Sequence, residues 1–264
     1  MGNNIAIVIP VYNEVKSIEK VLRQIIDNKS HDDQIILIED GSNDGTELII
    51  NMWEKSNFCK DHNVTILHNE KNSGYGYTLF KGMKYATENT SAEFILTMDC
   101  DEQHEAIDIP RFKLKTEYDL ISGSRYLANN DKGIAAPADR PVINQKIVRK
   151  LNRFAHSEIN EKWSLTDSFC GMKLYKKKLL KEFVDAFLHL PGHAEYFGYG
   201  FPLVFWKFYI LWLKKNNKNL QSNFTEESIA RIYISDNRSF GKELDQPLKR
   251  YRYYLKCFQV PIIL

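Results

Sequence analysis

Short apolar runs alternate with longer amphipathic stretches through the first half of the chain. "NIAIVIP" (residues 4–10), "QIILIED" (34–40), "NVTILHN" (63–69), "EFILTMD" (93–99) and "DLISGS" (119–124) are compact and rich in β-branched residues, as strands buried on both faces are. Between the first four lie "NEVKSIEKVLRQIIDN", "NDGTELIINMWEKS" and "SGYGYTLFKGMKYATEN", with apolar residues at helical spacing, as in Ile18, Val21, Leu22 and Ile25. Strand and helix in alternation predict βαβ crossovers and a mostly parallel sheet flanked by helices. In such sheets ligands bind beyond the carboxyl ends of the strands. "PVYNE", "EDGSNDGT" and "DCDEQHE" follow the first, second and fourth strands, so their chemistry is expected at one edge.

Past residue 125 the regularity fades. "YLANNDKGIAAPADR" (126–140) reads as a loop, followed by a helix in "RPVINQKIVRKLNRFAHSEI", an aromatic helix over 201–215, a strand in "SIARIYIS" and a basic C-terminal helix. No repeat or low-complexity linker interrupts the chain. The expected organisation is one domain over 1–245 with a basic, aromatic helix or tail at 246–264.

Composition narrows the function classes. The chain of 264 residues is 43% hydrophobic and 27% charged, as ordinary globular proteins are. Its formal net charge is only +2, from 36 basic and 34 acidic residues, which gives no case for nucleic acid as a partner. The four cysteines form no CxxC pair, a pattern that suits reduced thiols in a cytoplasmic setting. No secretory signal opens the sequence, and the longest apolar stretch, "GFPLVFWKFYILWLKK", is broken by Lys207 and too short to span a bilayer.

"FILTMDCDEQHE" drives an apolar strand into a cluster of acids. Like carboxylates repel at short range unless a cation lies between them. On extended chain, residues two apart project to the same side, so Asp99 and Asp101 can address one ligand, and Gln103 extends the series with a neutral oxygen. Hard oxygen donors suit Mg²⁺ or Mn²⁺; the bland alternative is a solvated acidic loop. In "EDGSNDGT" the glycines permit a tight turn and Asn43 or Asp44 a helix cap, leaving Glu39 and Asp40 to accept hydrogen bonds from a base or ribose. In "NSGYGYTLFKG" the third glycine of a dinucleotide fingerprint would fall at Leu79, and there is no GxxxxGK[ST], which argues against nicotinamide, flavin and P-loop sites.

Taken in order, "IPVYNE", "EDGSNDGT", "NSGYGYTLFKG", "MDCDEQHE", "ISGSRY", "TDSFCGMKLY" and "DNRSFGKEL" resemble a family 2 glycosyltransferase of the GT-A fold, more closely its polyprenyl-phosphate, dolichyl-phosphate mannose synthase-like branch. The resemblance spans residues 4 to 245 and implies a Rossmann-like nucleotide-diphospho-sugar transferase fold with a C-terminal helical elaboration. It implies a metal-dependent, inverting hexosyltransferase with a nucleotide-sugar donor. Pro10, Tyr12, Glu14, Asp40 and Gly74 would hold the nucleotide, and Asp99, Asp101 and Gln103 match the metal-binding "DxDxQ". Arg125 and Arg140 match arginines that grip an acceptor phosphate, and Arg238 and Lys242 a basic motif near donor diphosphate and acceptor. Asp99, Asp101, Arg125 and Arg238 are thus the expected catalytic set. The chain departs from the pattern at Glu39 (usually Asp), Cys170 (usually Ser), Asn144 (often Ser), and at Glu105 and Ala106, where a proline is common.

The acceptor decides whether a base is needed. A saccharide hydroxyl must lose a proton, whereas a phosphate monoester, with a second pKa of about 6, already offers an oxygen near pH 7. Asp167 and Glu195 are the candidate bases for a hydroxyl; for Asp167, ordering the loop before "CGMKLY" is the stronger expectation. His104 reads as a neighbour of the metal motif, not a ligand. The leading expectation is transfer to a polyprenyl phosphate at the cytosolic membrane face. The alternatives are a soluble enzyme acting on a saccharide hydroxyl and a silent nucleotide-sugar-binding protein. Two segments combine aromatic and basic residues as interfacial helices do: 201–215, equally readable as core, and 247–258, where four cations would be costly in a core.

Overall fold

A computed structural model describes residues 3–128, 130–135, 137–233, 246–262 and 264. The strands are β1 (Ile5–Val11), β2 (Gln34–Glu39), β3 (Val64–His68), β4 (Phe94–Thr97), β5 (Leu120–Ser124), β6 (Asp131–Gly133), β7 (Lys173–Lys176), β8 (Phe224–Ser228) and β9 (Arg231–Tyr233). The helices are α1 (Ile18–Asn28), α2 (Thr46–Glu54), α3 (Phe58–Asp61), α4 (Tyr75–Asn89), α5 (Ile109–Lys113), α6 (Asp139–Ile159), α7 (Lys177–Leu188), α8 (Phe201–Lys215), α9 (Leu220–Asn223) and α10 (Pro247–Phe258). Seven strands form one sheet in the order β3-β2-β1-β4-β7-β5-β8, and β6 pairs with β9 in a separate parallel ribbon. Within the large sheet only β7 is antiparallel to its neighbours.

The unbroken apolar run of β1 follows from its place at the centre. Ala6 and Val8 face one core with α4, α6, α7 and α8, while Ile5, Ile7, Ile9 and Val11 face a second with α1 and α5. The predicted helical spacing of Ile18, Val21, Leu22 and Ile25 lays all four into that second core. Burying side chains of this size stabilises the fold by roughly 1.5–3 kcal/mol each.

α8 is a core helix, which excludes the interfacial alternative for this segment. Eleven of its residues are buried, including Trp206 and Tyr209. Lys207, the charge that interrupts its apolar run, donates to the carbonyl of Val260 at 2.7 Å between the rings of Phe154 and Phe258. α10 also enters that core: Arg250, Tyr254 and Cys257 are buried against α8 and α6. Among the described residues no helix is long and apolar enough to cross a membrane. The strand expected in "SIARIYIS" is two: β8 ends at Ser228, and Ile229 and Ala230 turn the chain into β9.

Candidate active site

The loops after β1, β2 and β4 are fastened to one another at a single edge of the sheet. Asn13, in left-handed conformation at φ 56°, donates its N–H to the Ser42 hydroxyl (3.0 Å), and its side chain accepts from the N–H of Asn43 (2.9 Å). The Thr46 hydroxyl accepts from the N–H of Glu14 at 2.8 Å. "PVYNE" and "EDGSNDGT" are therefore one rigid rim.

The two acids ending β2 divide their work. Glu39 turns back into its own loop, accepting from the N–H groups of Gly41 (3.0 Å) and Ser42 (2.5 Å). Asp40 points the other way and accepts from the Asn69 amide (2.7 Å), Ser73 N–H (2.8 Å) and Gly74 N–H (3.0 Å). Of the roughly four acceptor positions of a carboxylate, three are thus filled.

Past β4, Asp99 is braced from two sides. The Tyr75 hydroxyl donates to its Oδ1 at 2.9 Å. Its main-chain N–H donates to Nδ1 of His104 at 3.0 Å, so that nitrogen is an acceptor and the imidazole is neutral. Burial agrees, pushing the His104 pKa down to about 4 against the pull of Asp101. Burial, then Asp99, holds the Tyr75 phenol well above its usual value, so it remains a donor. Asp101 Oδ1 accepts from the Gln103 N–H at 3.1 Å across a turn in which Glu102 takes a left-handed φ of 59° and pairs with Lys20 of α1.

The segment leading into β7 closes on this loop. The Thr97 hydroxyl donates to the Gly171 carbonyl at 2.6 Å, and a Cβ at Gly171 would stand 2.7 Å from Asp99 Oδ2 and 3.0 Å from His104 Cε1. Close approach, not conformational freedom, requires glycine there. Cys170 is fully buried beside His104, its thiol pushed up to about 12 by burial, so it packs and does not react.

On the same cavity, Arg125 is gripped by Asp167. Its Nε donates to Oδ2 at 2.7 Å and one Nη to Oδ1 at 3.0 Å. Asp167 also accepts from the N–H groups of Phe169 and Cys170. Burial drives the Asp167 carboxyl upward, but the Arg125 charge and these bonds outweigh it and leave it below the ordinary value. A fully buried carboxylate so engaged is a clamp for an arginine.

These loops enclose a cavity of about 570 Å³. Pro10, Tyr12, Glu14, Asp40, Gly74, Asp99, Asp101, Gln103, Arg125 and Arg140, taken from six separate stretches of sequence, all line it. Two carboxylates and an amide oxygen on one wall are a hard-oxygen donor set suited to Mg²⁺ or Mn²⁺. Among the described residues there is no group of three or more His, Cys, Asp or Glu able to hold an ion alone. That fits an ion that shares its shell with water and a phosphorylated ligand, the usual habit of Mg²⁺.

Residues 6–184 match the model of Glycosyl transferase family 2. The chain belongs to that family. A protein of Methanocaldococcus jannaschii, itself uncharacterized, is 30% identical over 180 residues, covering 66% of this chain and 72% of its own length. The undecaprenyl-phosphate 4-deoxy-4-formamido-L-arabinose transferase of Proteus mirabilis is 27% identical over 199 residues, covering 74% of this chain but only 54% of that protein. Among solved structures, glucosyl-3-phosphoglycerate synthase from Mycobacterium tuberculosis, crystallised with Mn²⁺, UDP and glucosyl-3-phosphoglycerate, superposes with a TM-score of 0.60 at 16% identity, covering 98% of this chain and 81% of that one. Residues 1–349 of S. aureus TarS give a TM-score of 0.51 at 18% identity, over 88% and 60% of the two chains. The expected fold class, GT-A, is the one observed, and the enzyme class is glycosyltransferase.

The sequence placed ten lining residues of this glycosyltransferase; Arg238 and Lys242 lie outside the described residues. Of the two candidate bases, Asp167 is committed to Arg125, and Glu195 is not on the cavity wall but pairs with Lys256 at 3.2 Å. Several lining residues went unread. Tyr75 is masked by the glycines around it, and its one sign in the sequence is a hydroxyl one residue past Gly74 at a helix start. Arg250 and Tyr254 belong to a segment whose cations suggest an interface; their spacing of four, with Cys257 three further on, is the sign in the sequence of a buried face.

Proposed function

We propose that the protein transfers a sugar, with inversion, from a nucleoside diphosphate sugar to a polyprenyl phosphate, acting peripherally at the cytosolic face of a membrane. The observation that carries this reading is that one cavity is lined both by the oxygen donors of Asp99, Asp101 and Gln103 and by the clamped guanidinium of Arg125.

In this reading Pro10, Tyr12, Glu14, Asp40 and Gly74 hold the nucleotide, with Asp40 using its remaining acceptor position. Asp99, Asp101 and Gln103 hold Mg²⁺ or Mn²⁺, which when bound neutralises charge on the departing diphosphate. Tyr75 and His104 fix the orientation of Asp99, so little reorganisation is needed as the bond to the leaving group breaks. Asp167 takes Nε and one Nη of Arg125, leaving the other Nη to meet an acceptor phosphate, with Arg140 beside it. Arg238 and Lys242 belong to the same set by their motif.

A phosphate acceptor suits a site whose two candidate bases are otherwise engaged, because its attacking oxygen is unprotonated near pH 7. The Proteus mirabilis relative, named for an undecaprenyl-phosphate acceptor, supports the same class.

The test is a panel of radiolabelled nucleotide sugars offered with a short-chain prenyl phosphate, in Mn²⁺ or in EDTA. Label should pass to the lipid with Mn²⁺ and not with EDTA. Label passing only to a saccharide hydroxyl, or nucleotide binding without any product, would replace this reading with one of its alternatives.

A further inference from the structure

α6 and α10 lie side by side and both reach the cavity. Arg140 and Ile143 of α6 and Arg250 and Tyr254 of α10 line it, and Asp139 pairs with Arg250 between the helices. Further along, Lys146 lies over the Tyr251 ring at 5.4 Å and Phe154 meets Phe258 at 5.7 Å, so the helices run parallel.

Their outer faces carry charge of one sign. Lys146, Arg149 and Arg153 recur at helical spacing on the exposed side of α6, and Lys249 and Arg252 on that of α10. None of these five cations stands in an ion pair among the described residues. α10 contains no acid, and the two acids of α6, Asp139 and Glu158, are taken by Arg250 and Lys214. Five like charges held on two packed helices repel one another, which a purely structural surface relieves with interspersed acids. At the cavity end of the same face two large apolar side chains face water: Val142 is 50% exposed and Leu248 73%.

We propose that this α6–α10 face docks on an anionic lipid surface. The lysines and arginines meet the headgroup charge, and Leu248 and Val142 dip below it beside the cavity mouth. Charge complementarity and this apolar tip select the occupant: a polynucleotide gives the tip no apolar phase, whereas an anionic leaflet meets the cations along the whole face and offers apolar depth beneath its headgroups. The inference rests on the proposed lipid acceptor for its purpose, because docking here turns the mouth toward the leaflet that would carry that acceptor.

The experiment is co-sedimentation of the full chain with vesicles of phosphatidylglycerol and phosphatidylcholine, against phosphatidylcholine alone. Binding is expected to the anionic vesicles only, and to fall at 0.5 M NaCl, where the screening length is a few ångströms. The paired variants Lys249→Glu/Arg252→Glu and Arg149→Glu/Arg153→Glu should each lower partitioning about tenfold or more, and Leu248→Ser should lower it without changing its salt dependence. Lys249→Gln/Arg252→Gln serves if charge reversal prevents folding. Sugar transfer to a water-soluble short prenyl phosphate should be unchanged in all of them. Equal binding to both vesicle types, unaltered binding in the variants, or binding to a duplex oligonucleotide but not to vesicles would overturn the docking face. Vesicle binding without lipid transfer would overturn the proposed acceptor and leave the docking face standing.

Discussion

The phenol of Tyr75 and the carboxylate of Asp99 meet at 2.9 Å across the start of α4 and the end of β4. The contact joins two βα units at the level of individual atoms, and it fixes the orientation of the Asp99 carboxylate at the cavity wall. Tyr75 is in turn held by its ring, stacked on Tyr199 at 6.2 Å. If Asp99 holds the ion as proposed, Tyr75 supports that ligand from behind and acts on affinity and geometry together.

Tyr75→Phe keeps the ring and removes the donor. The Mn²⁺ concentration for half-maximal transfer should rise about ten- to a hundredfold, the usual effect of losing such a supporting bond. A Mn²⁺ titration of activity checks it, and an unchanged midpoint would remove Tyr75 from the site.

Gly171→Ala places a methyl group where Asp99 Oδ2 and His104 now lie. The acid must swing, and displacement of a reacting geometry by about 1 Å costs on the order of a hundredfold in rate. Transfer should drop by that order while nucleotide binding without metal is retained, measured by calorimetry in EDTA.

Asp167→Asn separates a clamp from a base. Removing one partner of a buried ion pair costs about 3–5 kcal/mol, so the urea midpoint at pH 7 should fall sharply. A catalytic base would instead lose activity at unchanged stability. Because the folded carboxyl titrates below its ordinary value of 3.8, its stabilisation is complete above that value and disappears as pH falls through the lower folded one. Wild type and variant should therefore draw together in stability only as pH falls below 3.8 toward that lower folded value.

Glu226, on β8, has the opposite sign. It accepts from the N–H groups of Thr166 and Asp167, yet burial pushes its pKa up from 4.5 to about 7. The folded protein then holds a proton that the unfolded chain releases, so stability should decline as pH rises from about 4.5 to about 7. Glu226→Gln should flatten that decline, read from urea midpoints at pH 5 and pH 7.5.

The sheet and its chemical edge were legible because periodicity and turn residues are local properties. Ile18, Val21, Leu22 and Ile25 declare a helix face wherever the chain goes, and acids after an apolar run declare a strand end. β7 was not legible as a partner of β4: "KLYK" alternates like any short strand, and its position and direction depend on packing between segments some 75 residues apart, as Leu96 and Leu174 are. Lys207 misled in a different way. Its carbonyl partner, Val260, lies 53 residues away, and without it a lysine in an aromatic helix reads as a water-facing residue.

Because β7 runs against its neighbours, the chain leaves the sheet at Ser124 and returns at Gly171 on the same rim. Everything between those points is a detour hung from one side of the fold. Its helix α6 is also part of the core beneath Ala6 and Val8, so the path is tied to the sheet by packing as well as by its two ends. Arg125 and Arg140 reach the cavity wall from this path, whereas Pro10 to Gln103 reach it from the loops after β1, β2 and β4 and the start of α4, so the two sides of the wall are carried by different parts of the chain.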